Sequence, residues 1–226
     1  MKKLTIVIAL TLAATLGANA DVLSRFTFDG SLRGSQDADP NSSTTTFNDG
    51  PGFVSVFDVT RGNPTPALGV SSNQIDGSTN GAAVTANDYF TFTITPNAGF
   101  ALNLTNLTFD IANFTNDGTF SAISFFVRSS LNGFASNVGV TQSVLAGSNG
   151  TFQNANISLT GATFQNVTTS IEFRIYLQDN VTDPDRGGLI DNVTLNGVAA
   201  VPEPGTYMLL GVGGLLCVQR FRRKKS

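Results

Sequence analysis

The side chains that could carry out chemistry in this chain are almost all carboxylates. The sequence has no His, and its single Cys, Cys217, lies in an apolar run near the C-terminus. Ser-His and Cys-His nucleophilic pairs therefore cannot be built, and neither can a zinc site of the usual His and Cys type. The sequence also has no glycine-rich phosphate loop with its Lys. The enzymatic option that remains is a pair of carboxylates, as in a glycosidase.

Glu172 and Asp191 are the candidates for such a pair. Glu172 is the sole Glu before the C-terminal tail, and it alternates with apolar residues along 171–178, so we expect it to face solvent beside Arg174. Asp191 is in phase with Leu189, Val193 and Leu195, which leaves two orientations open: it points inward with them, or a bulge turns it out. A solvated sheet face explains Glu172 better than catalysis does, and we therefore predict a non-enzymatic protein with no catalytic residues.

Oxygen-bearing side chains crowd two segments where they could bind calcium. Asp179, Asp183 and Asp185 precede a pair of glycines, and residues 37–41 place three such side chains at alternate positions. Hard cations bind oxygen clusters of this kind. Neither segment has EF-hand spacing, however, and Asp and Asn are also the usual turn residues. Turns are the favoured interpretation, with structural calcium at Asp179, Asp183 and Asp185 as the alternative, and no other cofactor is predicted.

The charge distribution bears on the partners of the chain. From Asp21 to Ala200 there are six Arg, no Lys and fifteen acidic residues, which gives this body a charge of −9. Nucleic-acid binding needs clustered Lys and Arg, so we predict no nucleic-acid partner. Cations or neutral sugars are compatible with an acidic body. Sugar binding would need aromatic platforms, for which the body offers no Trp and only Tyr89 and Tyr176.

The elements that must position these side chains are β-strands. Apolar and polar residues alternate along 90–95 and along 171–178, which predicts two half-buried strands. Clusters of Asn, Asp, Gly and Pro separate them from the other strand candidates. These candidates are 22–28, 53–59, 101–113, 121–130, 138–144, 152–159 and 188–196.

One strand candidate contains a slip in its alternation. In 101–113 the apolar set begins at Leu102 and Leu104 and resumes one residue late at Leu107, which predicts a bulge or a corner. No stretch of the body shows helical amphipathicity. Many short strands without a cysteine framework predict an all-β fold, an antiparallel β-sandwich of jelly-roll type over residues 21–200.

The N-terminus predicts export. Residues 1–20 have the layout of a signal peptide for the Sec pathway: Lys2 and Lys3, then an apolar segment over 4–16. Ala18 and Ala20 form an A-x-A cleavage site for signal peptidase. The exported chain is therefore expected to begin at Asp21.

The C-terminus, residues 201–226, predicts a temporary membrane stop. Pro202, Glu203 and Pro204 precede an apolar stretch over 206–218, and its thirteen residues would reach only about 20 Å as a helix, against a hydrocarbon core of about 30 Å. We predict a single transmembrane helix of this kind, which halts translocation without being a lasting anchor. The positive-inside rule keeps the basic residues after it in the cytoplasm. These residues are Arg220, Arg222, Arg223, Lys224 and Lys225.

This order of tripeptide, glycine-containing apolar helix and basic end resembles the PEP-CTERM sorting domain of Gram-negative bacteria. The resemblance implies that an exosortase, a membrane transpeptidase, processes the tail at or near Pro202-Glu203-Pro204. It also implies a setting of exopolysaccharide and biofilm production. The body, with segments such as 89–96 and 190–197, is similar to the β-sandwich ectodomains found in front of such tails.

Three functional interpretations follow. The leading one is a non-enzymatic surface or extracellular-matrix protein, held briefly in the inner membrane and associated with exopolysaccharide. The alternative is a carbohydrate-binding module with structural calcium. The third is a glycan-active enzyme that uses Asp and Glu alone.

Overall fold

A computed structural model describes residues 21–29, 33–59, 67–145 and 150–201 of the chain. The predicted signal peptide with Ala18 and Ala20 lies outside these residues. The predicted sorting signal, from Pro202 to the basic residues at the end, also lies outside them. Within the described residues, no helix has the length and apolar character needed to cross a membrane.

The described residues form β-strands and one α-helix. The strands are β1 (Asp21–Phe26), β2 (Asp37–Ala38), β3 (Ser42–Thr44), β4 (Asn48–Asp49), β5 (Val56–Val59), β6 (Ala67–Ser71), β7 (Tyr89–Pro96), β8 (Ala101–Thr115), β9 (Ile123–Ser129), β10 (Val138–Val144), β11 (Gln153–Ser158), β12 (Ile171–Gln178) and β13 (Arg186–Ala200). The helix α1 is Asn80–Ala86. The all-β fold class is thereby confirmed.

The strands assemble into two antiparallel sheets. The seven-stranded sheet has the order β11-β8-β13-β1-β2, with β6 also paired to β13 and β5 to β6. The six-stranded sheet has the order β10-β9-β12-β7-β3, with β4 also paired to β7. Aromatic contacts join the two sheets face to face: Phe26 lies 5.3 Å from Phe92, and Phe109 lies 5.2 Å from Phe125, between ring centroids. The predicted antiparallel sandwich of jelly-roll type is confirmed.

The predicted slip in β8 is a bulge at Thr105. Asn196 pairs with Asn106, but the next residue, Gly197, pairs with Leu104, so Thr105 is left without a partner in the register. The nearest apolar residues before and after it, Leu104 and Leu107, both stay buried in the core. The bulge is therefore what lets both halves of the long strand face the same core.

A second bulge lies in β13 and decides where Asp191 points. The register with β8 shifts between Asp191 and Thr194. Before the shift, Leu189 belongs to a small apolar cluster with Ala112 and Phe114, apart from the main core. After the shift, Val193 lies in the main core. Of the two orientations the sequence left open for Asp191, the bulge therefore produces the outward one.

Some short elements have no counterpart in the sequence prediction. They are β2, β3, β4, β6 and the helix α1. The helix has only seven residues, too few for a 3.6-residue apolar period to be recognised, and it depends on its ends. Thr79 caps its first turn by accepting a hydrogen bond from the Ala82 N–H at 3.2 Å, and Asn87 ends it in the left-handed conformation.

Candidate functional site

The outer face of the six-stranded sheet places two arginines side by side. Arg128 on β9 and Arg174 on β12 are direct cross-strand partners. Their neighbours Val127 and Ile175 are buried in the core, so the alternation of a strand directs both arginines outward. Like charges directly opposite in an antiparallel pair are destabilising. Other contacts must therefore hold the two side chains in place. This arginine pair, Arg128 and Arg174, and the residues that contact it are the candidate site.

Arg174 is fixed by a carboxylate and two aromatic rings. Its Nε donates a hydrogen bond to Glu172 Oε1 at 2.7 Å, which confirms the predicted outward placement of Glu172 beside it. Its Cζ lies 4.5 Å from the ring centroid of Tyr89 and 3.8 Å from that of Phe134. Thr91 also donates to Glu172 Oε1, at 3.1 Å. Burial works to lower the pKa of Arg174, but its hydrogen bonds and the charge of Glu172 raise it above its ordinary value.

Arg128 is held by neutral groups. Its Nη1 donates to the Phe134 carbonyl at 2.6 Å, and its Nε donates to Asn137 Oδ1 at 3.1 Å. Its Cζ lies 5.4 Å from the ring centroid of Phe126 and 5.9 Å from that of Tyr176. Among the ion pairs of the described residues, none involves Arg128. Its charge is therefore solvated and packed on rings rather than neutralised by a carboxylate.

A tight turn after β9 brings Phe134 onto both arginines. Gly133 and Phe134 have φ angles of 63° and 60°, and the Phe134 N–H donates to the Ser129 carbonyl at 3.0 Å. The left-handed backbone at two successive residues folds the chain back over the sheet. As a result the ring of Phe134 covers Arg174 while its carbonyl binds Arg128.

The aromatic residues beneath the arginine pair pack against one another and against the helix α1. Phe126 and Tyr176 stack with ring centroids 4.8 Å apart, and Tyr89 lies 5.1 Å from Tyr176. The helix α1 packs Ala83 and Val84 against these rings. Tyr89 and Tyr176 are only 7% and 1% exposed, so neither offers an open ring on which a sugar could stack.

A depression of ≈ 300 Å³ lies near the turn after β9, and Asn137 links it to Arg128, although neither arginine is part of its lining. Its polar lining includes Ser129, Asn137 and Ser158, and Asn137 is also a hydrogen-bond partner of Arg128. Asn132 lines it as well and donates to Ser136 Oγ at 2.7 Å. Val138 and Phe164 also line it, so the depression is partly apolar and is connected to the arginine pair through Asn137.

The carboxylates proposed as a catalytic pair do not meet. Glu172 lies on the outer face of the six-stranded sheet, whereas Asp191 lies on the outer face of the seven-stranded sheet, opposite Asp110 on β8. Asp191 is 1% exposed, and its oxygens accept hydrogen bonds from the N–H and the side-chain amide of Asn192 at 2.6 and 3.2 Å. Two carboxylates on opposite faces of the sandwich cannot flank one glycosidic bond.

Asp179, the first of the carboxylates predicted to bind calcium, points into the protein. It is 5% exposed, and its Oδ2 accepts a hydrogen bond from the hydroxyl of Ser72. Its Oδ1 accepts from the N–H groups of Asn180 and Val181 at 2.6 and 2.9 Å. Burial raises the pKa of Asp179. This carboxylate thus closes a turn at the end of β12.

Asp183 and Asp185 lie in the loop that follows. Asp183 Oδ1 accepts from the Asp185 N–H at 3.0 Å, and Asp183 Oδ2 lies 3.4 Å from Arg186 Nε. Arg186 also binds Asp117, at 2.8 Å, and this contact holds the pKa of the Asp117 carboxyl well below its usual range. Across the described ranges, no three or more His, Cys, Asp or Glu side chains are grouped to hold a metal ion. Calcium binding by Asp179, Asp183 and Asp185 stays a prediction.

Sequence reasoning did not single out Asp88, the residue just before β7. Its carboxylate is fully buried, and within the described residues neither of its oxygens makes a hydrogen bond of good geometry. Burial raises the pKa of Asp88 to about 6, partly offset by nearby backbone N–H groups of Asp76 and Gly77. The sequence contains no signal for this, because an Asp after a left-handed Asn reads as an ordinary turn residue.

Fold and sequence together define an antiparallel β-sandwich that ends in a sorting signal. Residues 200–224 match the PEP-CTERM protein-sorting motif. The chain therefore carries this motif, directly after the last strand, and a signal of this kind indicates an exported surface protein. No curated protein matches the chain.

Solved structures with a similar arrangement of strands include sugar-binding and adhesin domains. The CBM22-1 xylan-binding domain from Paenibacillus barcinonensis has 11% identity and a TM-score of 0.42 over 80% of this chain and 97% of that domain. A CBM28 module specific for non-crystalline cellulose has 13% identity and a TM-score of 0.43 over 78% and 94%. A cleaved adhesin domain of Lys-gingipain from Porphyromonas gingivalis has 13% identity and a TM-score of 0.36 over 76% and 95%. Likenesses this distant carry no argument about what this chain binds.

Proposed function

We propose that this protein is exported by the Sec pathway, held briefly in the inner membrane of a Gram-negative bacterium, and released by an exosortase to the cell surface or extracellular matrix. Signal peptidase cuts after Ala20, and the exosortase cuts at or near Pro202-Glu203-Pro204. The sandwich is then a non-enzymatic domain that associates with exopolysaccharide in a biofilm. The match of residues 200–224 to the sorting motif carries this proposal.

The physical basis is the amino-acid composition of the C-terminal segment. An apolar run of thirteen residues followed by five basic residues can stop translocation, but it is short for a permanent span. Because β13 ends at Ala200, the proposed cleavage site would follow the folded domain almost at once. Cleavage there would leave every strand of the described sandwich intact.

The non-enzymatic part of the proposal is supported by the carboxylates. Glu172 is bound to Arg174 and Thr91, and Asp191 lies on the other sheet. The sequence offers no His and no Cys in the body as substitutes. A binding or structural role for the sandwich is therefore favoured over catalysis.

The test is intact-mass analysis of the protein recovered from the surface of the native cells. We expect a form that begins at Asp21 and ends near Pro204. In cells that carry Glu203→Ala, or that lack the exosortase, the mass should include residues 205–226 and the protein should stay in the membrane fraction. Glu172→Ala serves as the matched control, since it removes a Glu outside the motif and should leave processing unchanged. Full-length protein in the cytosol, or a mature surface form that keeps Arg220 to Ser226, would overturn the proposal.

A further inference from the structure

The arginine pair is unusual for this chain. The body has six Arg against fifteen acidic residues, yet two of the six are direct cross-strand partners. Glu172 contacts Arg174, and Arg128 takes part in no ion pair among the described residues. Two adjacent cations with one carboxylate between them leave a local excess of positive charge on an otherwise acidic surface. Two cationic side chains that are held side by side can together bind one anionic group.

We infer that Arg128 and Arg174 bind the carboxylate of a uronic-acid residue in an acidic polysaccharide. This inference rests on the proposed function, because it names the chemistry of the exopolysaccharide that the sandwich would meet. Arg is suited to this task since its planar guanidinium donates two parallel hydrogen bonds to a carboxylate.

Both guanidiniums keep donors for such a ligand. A guanidinium has five N–H groups. The hydrogen bonds of Arg128 to Phe134 and Asn137 use Nη1 and Nε. Arg174 donates to Glu172 through Nε and also has a side-chain hydrogen bond with Tyr176. Within the described residues, these contacts leave each five-donor guanidinium with N–H groups for a ligand, among them those on Nη2 of Arg128. The side chains of Glu172 and Arg174 are 30% and 23% exposed, so a ligand can reach them from solvent.

The side chains of Arg128 and Arg174 are held in position before any ligand binds. Arg174 lies between the rings of Tyr89 and Phe134, with its Cζ 4.5 and 3.8 Å from their centroids. Arg128 is tied to the same turn through the carbonyl of Phe134. Side chains that are already ordered lose less conformational entropy when a ligand binds.

The surroundings of the arginine pair favour a sugar over a phosphate polymer. Asn137, the hydrogen-bond partner of Arg128, also lines the depression of ≈ 300 Å³ together with Asn132, and their amide groups can exchange hydrogen bonds with sugar hydroxyls. Nucleic acid needs many phosphate contacts along an extended basic surface, and the body's net charge of −9 does not favour one. Two adjacent arginines with amide groups nearby instead suit one carboxylate on one sugar ring.

The experiment measures binding of the full-length protein, solubilised in detergent, to a short oligogalacturonate and to its methyl ester by calorimetry. The ester keeps the sugar ring and removes the charge, so we expect the free acid to bind and the ester to bind at least about tenfold more weakly. Arg128→Gln and Arg174→Gln should each weaken binding of the acid by about tenfold or more. Arg25→Gln, on the other sheet, makes the same charge change and should have no effect.

Two further variants separate binding from folding. Arg128→Lys and Arg174→Lys keep the charge but lose the planar fork, so they should weaken binding while leaving the melting temperature close to that of the parent protein. Glu172→Gln removes the competing carboxylate and should strengthen binding.

The outcomes distinguish this inference from the proposed function. If the free acid and the ester bind equally, or the Gln variants bind as well as the parent, the assignment to the arginine pair is wrong. The proposed function is then judged separately, by whether the protein binds exopolysaccharide purified from its own cells. Loss of that binding in Arg128→Gln but not in Arg25→Gln would support both proposals, and no binding of the native polymer by the parent protein would overturn both.

Discussion

Asp21 lies directly opposite Gly197 in the antiparallel register of β1 and β13. The predicted first residue of the exported chain is therefore a strand partner of a residue only three positions before the sorting motif begins at residue 200. In the sequence, both predicted cleavage sites thus adjoin the same end of the β1–β13 strand pair in the seven-stranded sheet. Since β13 pairs with β1, β6 and β8, this sheet can be completed only after the last strand has been exported.

The first prediction concerns this order of events. A chain that ends at Val201 should fold like the parent protein, because the pairings of the described strands involve no residue beyond Ala200. A chain that ends at Asp185 lacks β13, the strand at the centre of the seven-stranded sheet, and should not fold cooperatively. Circular dichroism during thermal unfolding measures both, and a cooperative transition in the shorter chain would contradict the role given to β13.

The second prediction concerns Phe47, which lies where several core rings meet. Its ring centroid is 5.3 Å from that of Phe26, 5.1 Å from that of Phe28 and 5.6 Å from that of Phe90. Phe47→Ala should lower the free energy of unfolding by about 3–5 kcal/mol, because it removes a fully buried ring and leaves a cavity. Urea denaturation measures the change.

The matched control for Phe47 is Phe152, which is 37% exposed. Phe152→Ala makes the same chemical change outside the core, and it should cost less than about 1 kcal/mol. Equal losses of unfolding free energy in the two variants would contradict the central role of Phe47 in core packing.

Phe47 and the arginine pair are features that the sequence alone could not fully predict. Alternation predicted the long strands because each turns one face to a large core, and the phase slip near Leu104 located the bulge in β8. Phe47 lies between two short strands, where no alternation can be recognised. Its neighbours Phe26, Phe90 and Phe92 come from other strands, so only the tertiary fold brings the four rings together.

Only the local part of the candidate site could be predicted from the sequence. Glu172 and Arg174 are two residues apart on one strand, so their contact follows from local geometry. Arg128 meets Arg174 through the register of β9 against β12, and Phe134 joins them through a turn with left-handed backbone. Register between distant strands is set by the whole core, which single-sequence patterns do not specify.

The third prediction tests calcium at Asp179, Asp183 and Asp185. If calcium binds there, EDTA should lower the melting temperature of the full-length protein and added calcium should restore it, because a ligand that binds only the folded state stabilises it. Asp185→Asn should remove this response, whereas Asp29→Asn, an exposed Asp elsewhere, should retain it. An equal melting temperature with and without EDTA would remove the hypothesis, and Asp183 would then act through its contacts with the Asp185 N–H and with Arg186.

The fourth prediction concerns the buried carboxylate of Asp88. Its pKa is raised from 3.8 to about 6 in the folded state because burial disfavours the charged form. Well below pH 3.8 the carboxyl is protonated in both the folded and the unfolded states, so it imposes no penalty on folding. Stability is lost as the pH rises from about 3.8 through about 6, because the unfolded state ionises first, and above pH 6 the folded state holds a buried charge. A shift of this size corresponds to about 3 kcal/mol between acid and neutral pH.

Asp88→Asn isolates this effect, because it keeps the shape of the side chain and cannot ionise. Near pH 8 the variant should be more stable than the parent protein by up to about 3 kcal/mol, and near pH 4 the two should differ little. Urea denaturation at both pH values gives the comparison. Burial also raises the pKa of Asp179, so the informative quantity is the difference in stability between the parent and the variant rather than the pH profile of either.

The matched control is Asp29→Asn, which should follow the parent at both pH values, since Asp29 is exposed. If Asp88→Asn also follows the parent, the buried carboxylate is compensated in the folded protein, and its raised pKa does not limit stability.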